Sequence, residues 1–520
     1  MSENVPEPLT GEALLQKAKE LLDSPREERA KLCGYYRITK DNQTHANLKG
    51  FYDAIIAAYN PEKRILNQLR IQNFKSWKDT GLMRIASLTG LFGTNSSGKT
   101  AIIQFLLILK QTVESTDRQQ VLHTGDHQSY VDIGTFYDAI HRHQIPGKID
   151  FKINWTLPKV LLVYNLKEED PILFSVPVLS LSFAASIEGT EESVIAKEFN
   201  YLFDYKDKTY EFGMQATKNK SEYKLVSEGY SFKKIKSINP NELLQPVKNY
   251  GFPEQVNAYY KNAGFLSRFA LELENLFQNI YYLGPLRDYP RRSYAWGGQK
   301  PQDVGKKGEL AIPALLASRG EKISGGKDRP SQTIEERVAE WLRDLGLIHE
   351  FALKPIAKNR KDYEVLVRRS PGSSEVLITD VGFGVSQILP VLVLCYYVPE
   401  GSIIILEQPE IHLHPSVQAG LADVFIDVIK TRKVQIILES HSEHLLRRLQ
   451  RRIAEEKLDY QDAALYFCQT DENGDSQLLP LELDSFGNIN NWPNGFFGDE
   501  MGELVAMTEA AMSRRLDQPI

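Results

Sequence analysis

The string GTNSSGKT, Gly93 to Thr100, constrains this chain more than any other stretch. It fits G-x-x-x-x-G-K-[ST] and stands between a strand-length apolar run, RIASLTGLFG, and a helix-length one, AIIQFLLILKQTV. Each residue type has its own reason. Glycines at 93 and 98 let the backbone curl until successive N–H groups point at phosphate oxygens, and a helix starting near Lys99 adds the positive end of its dipole. Lys99 brings a full charge toward β- and γ-phosphates, and the Thr100 hydroxyl suits Mg2+. A strand–loop–helix unit that cradles phosphate is the expectation.

Such a loop needs an acid for its metal at the end of a neighbouring strand. SIIILEQPE supplies one: Ile403 to Leu406 read as a buried parallel strand, with Glu407 at its carboxyl end. VQIILESHSEHLL is another buried strand, ending at His441, which could reach a γ-phosphate from there, although a lone histidine is more often structural. TDVGFGVSQILPVLV sets Gly382 and Gly384 ahead of Ser386, Gln387 and a buried helix. That pattern serves either as a second phosphate-binding turn or as an ordinary helix cap. Between these halves, from about Lys148 to Phe232, runs such as KIDFKINWTL, VLSLSFAA and TYEFGM alternate with lysine-rich turns and read as an antiparallel β lobe.

Phosphate loop, GFGVSQ turn, ILEQPEIHLHP and ESHSEHLL, in that order, resemble the split head domain of ABC-type ATPases, and within them the structural-maintenance-of-chromosomes (SMC) and OLD-like AAA ATPases. RIQNFKSW resembles the strand with which such heads begin, while YYLGPLRDYPRRSY and NWPNGFFGDEMGELVAMTEA resemble a bacterial subfamily with an uncharacterised C-terminal domain. The resemblance implies an α/β fold: a P-loop NTPase of ABC/SMC head type split by an antiparallel β lobe, with a small helical N-terminal unit and a short α+β C-terminal domain. The corresponding divisions are residues 1–60, 64–147 for the first ATPase half, 148–290 for the lobe and a helix, 291–455 for the second half, and 456–520 for the accessory domain.

Carried across by position, the resemblance gives ATP and Mg2+ as ligands. Gly93, Asn95, Ser96, Ser97, Gly98, Lys99 and Thr100 would hold the nucleotide, with Thr100 and Glu407 on the metal. Gly384, Ser386 and Gln387 would be the signature turn, which in this class meets the γ-phosphate held by the opposite subunit, so a homodimer would sandwich two ATP molecules. His441 takes the switch position, and Gln104, Gln111 and Gln128 are unranked candidates for a further phosphate-sensing glutamine. One departure matters. The usual aspartate–glutamate pair is here Glu407–Gln408, and a glutamine can hold a water but cannot take its proton. Loss of a general base typically lowers the rate by roughly 10²–10⁴-fold. Slow hydrolysis is therefore expected, with Glu410 as the runner-up base and a non-catalytic, nucleotide-gated scaffold as the competing reading.

Other features are weaker. His412 and His414 sit close to Glu407 and Glu410, but a transition-metal site lacks further ligands, and Ser440-His441-Ser442 lacks the elbow of a hydrolase. Arg447, Arg448, Arg451 and Arg452 share one helical sector, which either tracks a phosphate backbone or pairs with acids such as Glu455 and Glu456. TGEALLQKAKELL and the residues to about Ala58 resemble the leading segment of cyanobacterial AbrB-like regulators, implying an interaction or dimerisation module. The N-terminus has neither a basic start nor an apolar core, no apolar run reaches membrane-spanning length, and the three cysteines are widely separated, so a cytoplasmic chain without membrane contact or disulfide framework is expected. The formal charge of −6 is uneven. The last fifty residues hold ten acids and two bases, or −8, which leaves +2 on the preceding 470. An effector protein and DNA both remain open as partners.

Overall fold

A computed structural model describes residues 65–163, 176–190, 193–205, 208–217, 222–235, 243–326, 329–493, 496 and 500–516. The AbrB-like segment and Cys33 lie outside them. The chain divides into two compact units, one containing residues 75–81, 85–105 and 280–520, the other residues 65–74, 82–84 and 106–279.

The first unit is built on six strands: β1 (Leu88–Gly93), β2 (Ile280–Leu283), β3 (Ile403–Glu407), β4 (Gln435–Glu439), β5 (Ala463–Thr470) and β6 (Ser476–Pro480). Their order is β2-β3-β4-β1-β5-β6, parallel except for the β5–β6 pair. Every residue of β1, β2, β3 and β4 is buried, as expected for parallel strands covered on both faces. The covering helices include α1 (Lys99–Glu114), α2 (Phe383–Tyr397), α3 (Pro415–Arg432) and α4 (Glu443–Ala454). The last residues of α1, from Leu106, group with the other unit. Leu389, Leu392 and Tyr396 of α2, Leu421 and Phe425 of α3, and Leu446 and Leu449 of α4 share one core with Ile404, Leu406, Ile436 and Leu438 of the sheet. Register places Glu407 beside Glu439 and Glu439 beside Leu91. All the strand ends that matter for chemistry therefore emerge on one edge, the carboxyl edge where open α/β sheets bind ligands.

Strand pairing joins segments across two of the divisions expected from sequence. In the segment expected as an accessory domain from residue 456, the run AALYFCQT of β5 pairs in parallel with β1, Ala463 through Cys468 against Leu88 through Gly93. The opening strand Ile65–Phe74, expected to start the ATPase head, pairs antiparallel with Gly147–Val163 of the lobe (Leu69 opposite Ile153), in keeping with its alternating burial.

The second unit is an antiparallel meander of Ile65–Phe74, Gly147–Val163, Val176–Gly189, Val194–Tyr205, Lys208–Ala216 and Tyr223–Glu228. Its core is aromatic. Phe269, on helix Leu266–Gln278, packs its ring against Tyr201, Phe203 and Phe212 at centroid separations of 5.7–5.8 Å. Among the described residues no helix is long and apolar enough to cross a membrane.

Candidate functional site

The phosphate loop follows directly from β1. Gly93, Ser96 and Gly98 have φ of 132°, 60° and 89°, so three of its residues hold the left-handed geometry that curls a backbone around an anion. At Gly98 the need for glycine is also steric. An added Cβ would stand 2.4 Å from the Ser476 hydroxyl of β6 and 2.8 Å from that of Ser76. Trp77 Nε1 donates to the Gly98 carbonyl at 2.9 Å, and Ser476 Oγ donates to Ser76 Oγ at 2.7 Å, so residues 75–81 and β6 brace the loop from outside. Sequence reasoning assigned neither Trp77 nor Ser476 to the site.

Lys99, only 3% exposed, donates from Nζ to the carbonyls of Gly93 (3.1 Å) and Thr94 (2.6 Å). Burial holds its ammonium below the ordinary lysine range, against the opposing field of Glu439 and Glu410. Ser97 is buried and donates to Thr94 O, whereas Asn95 and Ser96 are exposed.

Three buried carboxylates gather at the strand ends: Glu407 at 6% exposure, Glu410 at 7% and Glu439 at 3%. Glu407 accepts from Tyr282 Oη at 2.9 Å, and Arg287 Nη2 donates to its carbonyl at 3.3 Å. Burial, then the neighbouring Glu439, push the Glu407 carboxyl up to about 7. Glu410 accepts the His441 N–H at 2.7 Å through Oε1, while Oε2 is buried without a partner. Burial also raises this carboxyl above the usual carboxylate range. Glu439 accepts from the Thr100 hydroxyl at 2.8 Å. The expectation that Glu407 ends the strand next to the loop needs correction: β4 lies between β3 and β1, so the immediate neighbour ends in Glu439. The sequence signal was present, since IIILE and QIILE end alike, but the Glu-Gln-Pro-Glu run drew attention to the first.

Gln408 is half-buried with φ of 45°, and its N–H donates to Glu439 O at 2.9 Å. His441 is exposed, its imidazole held below its ordinary value by partial desolvation and by Lys99. Together Lys99, Thr100, Glu407, Gln408, Glu410 and His441 form one constellation at the carboxyl edge.

The glycine turn opens α2 with Gly382 as its N-cap. Ser386 is buried and donates to Phe383 O at 2.7 Å, an in-helix contact, and Gln387 is buried with Nε2 unpartnered. At Gly384 an added Cβ would make only ordinary van der Waals contact, with Leu413 nearest at 3.7 Å. Phe383 stands edge-on to His412 at 5.4 Å, so the turn lies against the loop that follows β3. Of the three glutamine candidates, Gln104 accepts from Lys75 Nζ at 2.5 Å, Gln111 is committed to the carbonyls of His123 and Val131, and Gln128 is exposed. His414 caps α3 through Ser416 N, and among the described residues no group of three or more His, Cys, Asp or Glu is placed to hold a metal. The α4 arginines all meet acids: Arg447 with Glu443, Arg451 with Glu455, and Arg448 and Arg452 with Asp423.

A family model described as AAA ATPase domain matches residues 65–275 and 323–446, and one described as protein of unknown function (DUF3696) matches residues 458–507. No curated protein matches the chain. Solved structures similar to it include an SMC head domain from Thermotoga maritima (12% identity, 80% of this chain and 99% of that one, TM-score 0.35). Another is an Smc head domain with an extended coiled coil, bound to the C-terminal domain of ScpA and derived from Pyrococcus furiosus (9% identity, 86% and 100%, TM-score 0.38).

Proposed function

From the premise that this chain belongs to the AAA ATPase domain family, we propose that it is a slowly hydrolysing ATPase whose heads dimerise around ATP and Mg2+ to control a partner protein. The observation that carries this reading is the constellation at the carboxyl edge, in which a phosphate loop with a buried lysine meets three buried carboxylates at the strand ends, Glu439 bonded to Thr100. The donor set suits the ligands: curled backbone and Lys99 for phosphate, and the oxygens of Thr100 and Glu407 for Mg2+, which prefers hard oxygen donors. Mg2+ would supply charge neutralisation on the phosphates; the chain supplies position.

Within that reading Gln408 orients the attacking water without taking its proton, which makes hydrolysis slow. Glu410 has one oxygen engaged by the His441 N–H, which suits it to bracing the switch histidine better than to acting as base. Gly384, Ser386 and Gln387 would present the start of α2 to the partner head; Ser386 acts through the turn, its hydroxyl being engaged by Phe383 O. Partner control is favoured over DNA binding because Arg447, Arg448, Arg451 and Arg452 are each ion-paired with an acid of their own unit. A role in defence or genome maintenance, in the cytoplasm, is the biological setting this proposal carries. The competing reading, a non-catalytic nucleotide-gated scaffold or regulator, is favoured by Gln408 and the AbrB-like segment.

Turnover of the native chain and of Gln408→Glu decides between them. The substitution is expected to raise ATP hydrolysis by about 10²–10⁴-fold, the usual contribution of a general base. A fast native enzyme that Gln408→Glu leaves unchanged would overturn the slow-clamp reading, and a native chain that never hydrolyses ATP in a single turnover would favour the scaffold.

A further inference from the structure

Glu439 has no place in the sequence-derived constellation, yet three contacts meet at it. Its carboxylate accepts the Thr100 hydroxyl, its carbonyl accepts the Gln408 N–H, and register sets it beside Glu407 on the adjoining strand. Adjacent strands stand about 4.8 Å apart, and residues paired in parallel register project from the same face of the sheet. Glu407 and Glu439 are therefore neighbouring acids, engaged differently: Glu407 by Tyr282 of β2, Glu439 by Thr100.

The direction of the Thr100 bond is informative. A hydroxyl owns one proton and two lone pairs. With the proton committed to a carboxylate, which can only accept, both lone pairs of Thr100 Oγ1 are left to face something electron-poor. A cation ligand needs that orientation, and the rotamer that donates toward a phosphate loses it. Outer partners that orient a ligand in this way typically change metal affinity by about 10–100-fold when removed.

We propose that Glu439 is a positioning residue for the metal side of the phosphate loop: through the Thr100–Glu439 hydrogen bond it holds the threonine oxygen as a cation acceptor, and so makes nucleotide binding Mg2+-dependent. The proposal rests on the ATP·Mg2+ reading above and adds to it a residue and a route of action. It also explains why β4, which could have ended in any polar residue, presents a buried acid beside the loop. Holding Gln408 through its backbone, the same residue links the metal side to the position of the attacking water.

Equilibrium binding of fluorescent ATP to the full chain, titrated with MgCl2 and repeated in EDTA, tests this without relying on turnover. Glu439→Gln and Glu439→Asp are expected to weaken Mg2+ affinity of the ATP complex by about 10–100-fold, and Glu439→Asp, which keeps the negative charge, to change affinity in EDTA by less than about twofold. In a Thr100→Ala background the Glu439 substitutions should add little, because their route of action is already gone. Aspartate tests reach and glutamine tests charge, so loss of folding in one leaves the other. Full Mg2+ dependence in both variants, with loss confined to Glu407→Gln, overturns the proposal and leaves the ATPase reading standing. A Glu439 effect of undiminished size in Thr100→Ala assigns it to structure and also overturns it. Absence of ATP binding by the native chain sinks the ATPase reading and this inference together.

Discussion

In the lobe, the buried ammonium of Lys248 gives its protons to the carbonyls of Val113 and Ser115, and Tyr250 donates to Glu274, whereas at the strand ends of the other unit Glu410 keeps a buried carboxylate oxygen with no partner and Arg287 keeps two unpartnered nitrogens. The lobe has its own unmatched buried atoms among the described residues, on His123, Trp155, Ser186, Asn200 and Thr217, none of them on a carboxylate or a guanidinium. Leaving charged groups incompletely matched is far more costly than leaving neutral ones so. Arg368 and Arg432, in the unit that holds Glu410 and Arg287, also keep one unpartnered nitrogen each, so the contrast lies in position: at the carboxyl edge unmatched atoms of both signs, on Glu410 and Arg287, occur together. Stability and binding should accordingly respond to different substitutions, binding to those at the carboxyl edge and stability to those away from it.

The largest effect tests the lobe. Phe269→Ala removes the ring on which the aromatic core converges and is expected to cost about 3–5 kcal/mol of unfolding free energy. Denaturant midpoints check the loss, and ATP affinity of the folded fraction should stay put; a matching fall in affinity would erase the separation. Next comes Lys99→Met, which should invert the pattern. Burial disfavours the charged ammonium in the folded chain, so an apolar side chain of similar length should leave the nucleotide-free protein as stable or more so. Loss of one preorganised charge should still lower turnover by about 10²–10³-fold. A Lys99→Met protein that both melts early and hydrolyses normally would break the comparison from the other side.

Much of this site was legible because its parts are local. GTNSSGKT declares loop and helix start within eight residues, and IIILE and QIILE declare buried strands by composition. The pairing of those strands is not local. Thr100 and Glu439 lie 339 residues apart, and nothing in a strand's own sequence says which neighbour it takes. The same limit hid the place of AALYFCQT in the main sheet and of Ile65–Phe74 in the lobe, since each run is compatible with either sheet. Trp77 and Ser476 were missed for a related reason: they matter only as the wall that Gly98 approaches, a contact across 378 residues of sequence in the second case. Side-chain chemistry could be read one residue at a time; adjacency could not.

The smallest expected effect is a control away from the strand ends, on helix Ile334–Asp344. Thr333 caps it, accepting from the Glu336 N–H, and Glu336 returns a bond from the Thr333 N–H, a reciprocal capping box. Thr333→Ala should cost about 1 kcal/mol with ATP affinity unchanged. The Glu336 carboxyl is held below its ordinary value first by the Thr333 N–H and then by the Thr333 hydroxyl. A folded-state acid pKa below the unfolded one means that the unfolded chain binds more protons as pH falls, so the stabilisation is fully present above about pH 4.5, the ordinary glutamate range, and fades on acidification. The gap between native protein and Glu336→Gln in urea midpoints should therefore be open at pH 7 and close toward pH 3. If it widens instead, the carboxylate is not the form the helix end holds, and capping would have to be reassigned to the Thr333 hydroxyl alone.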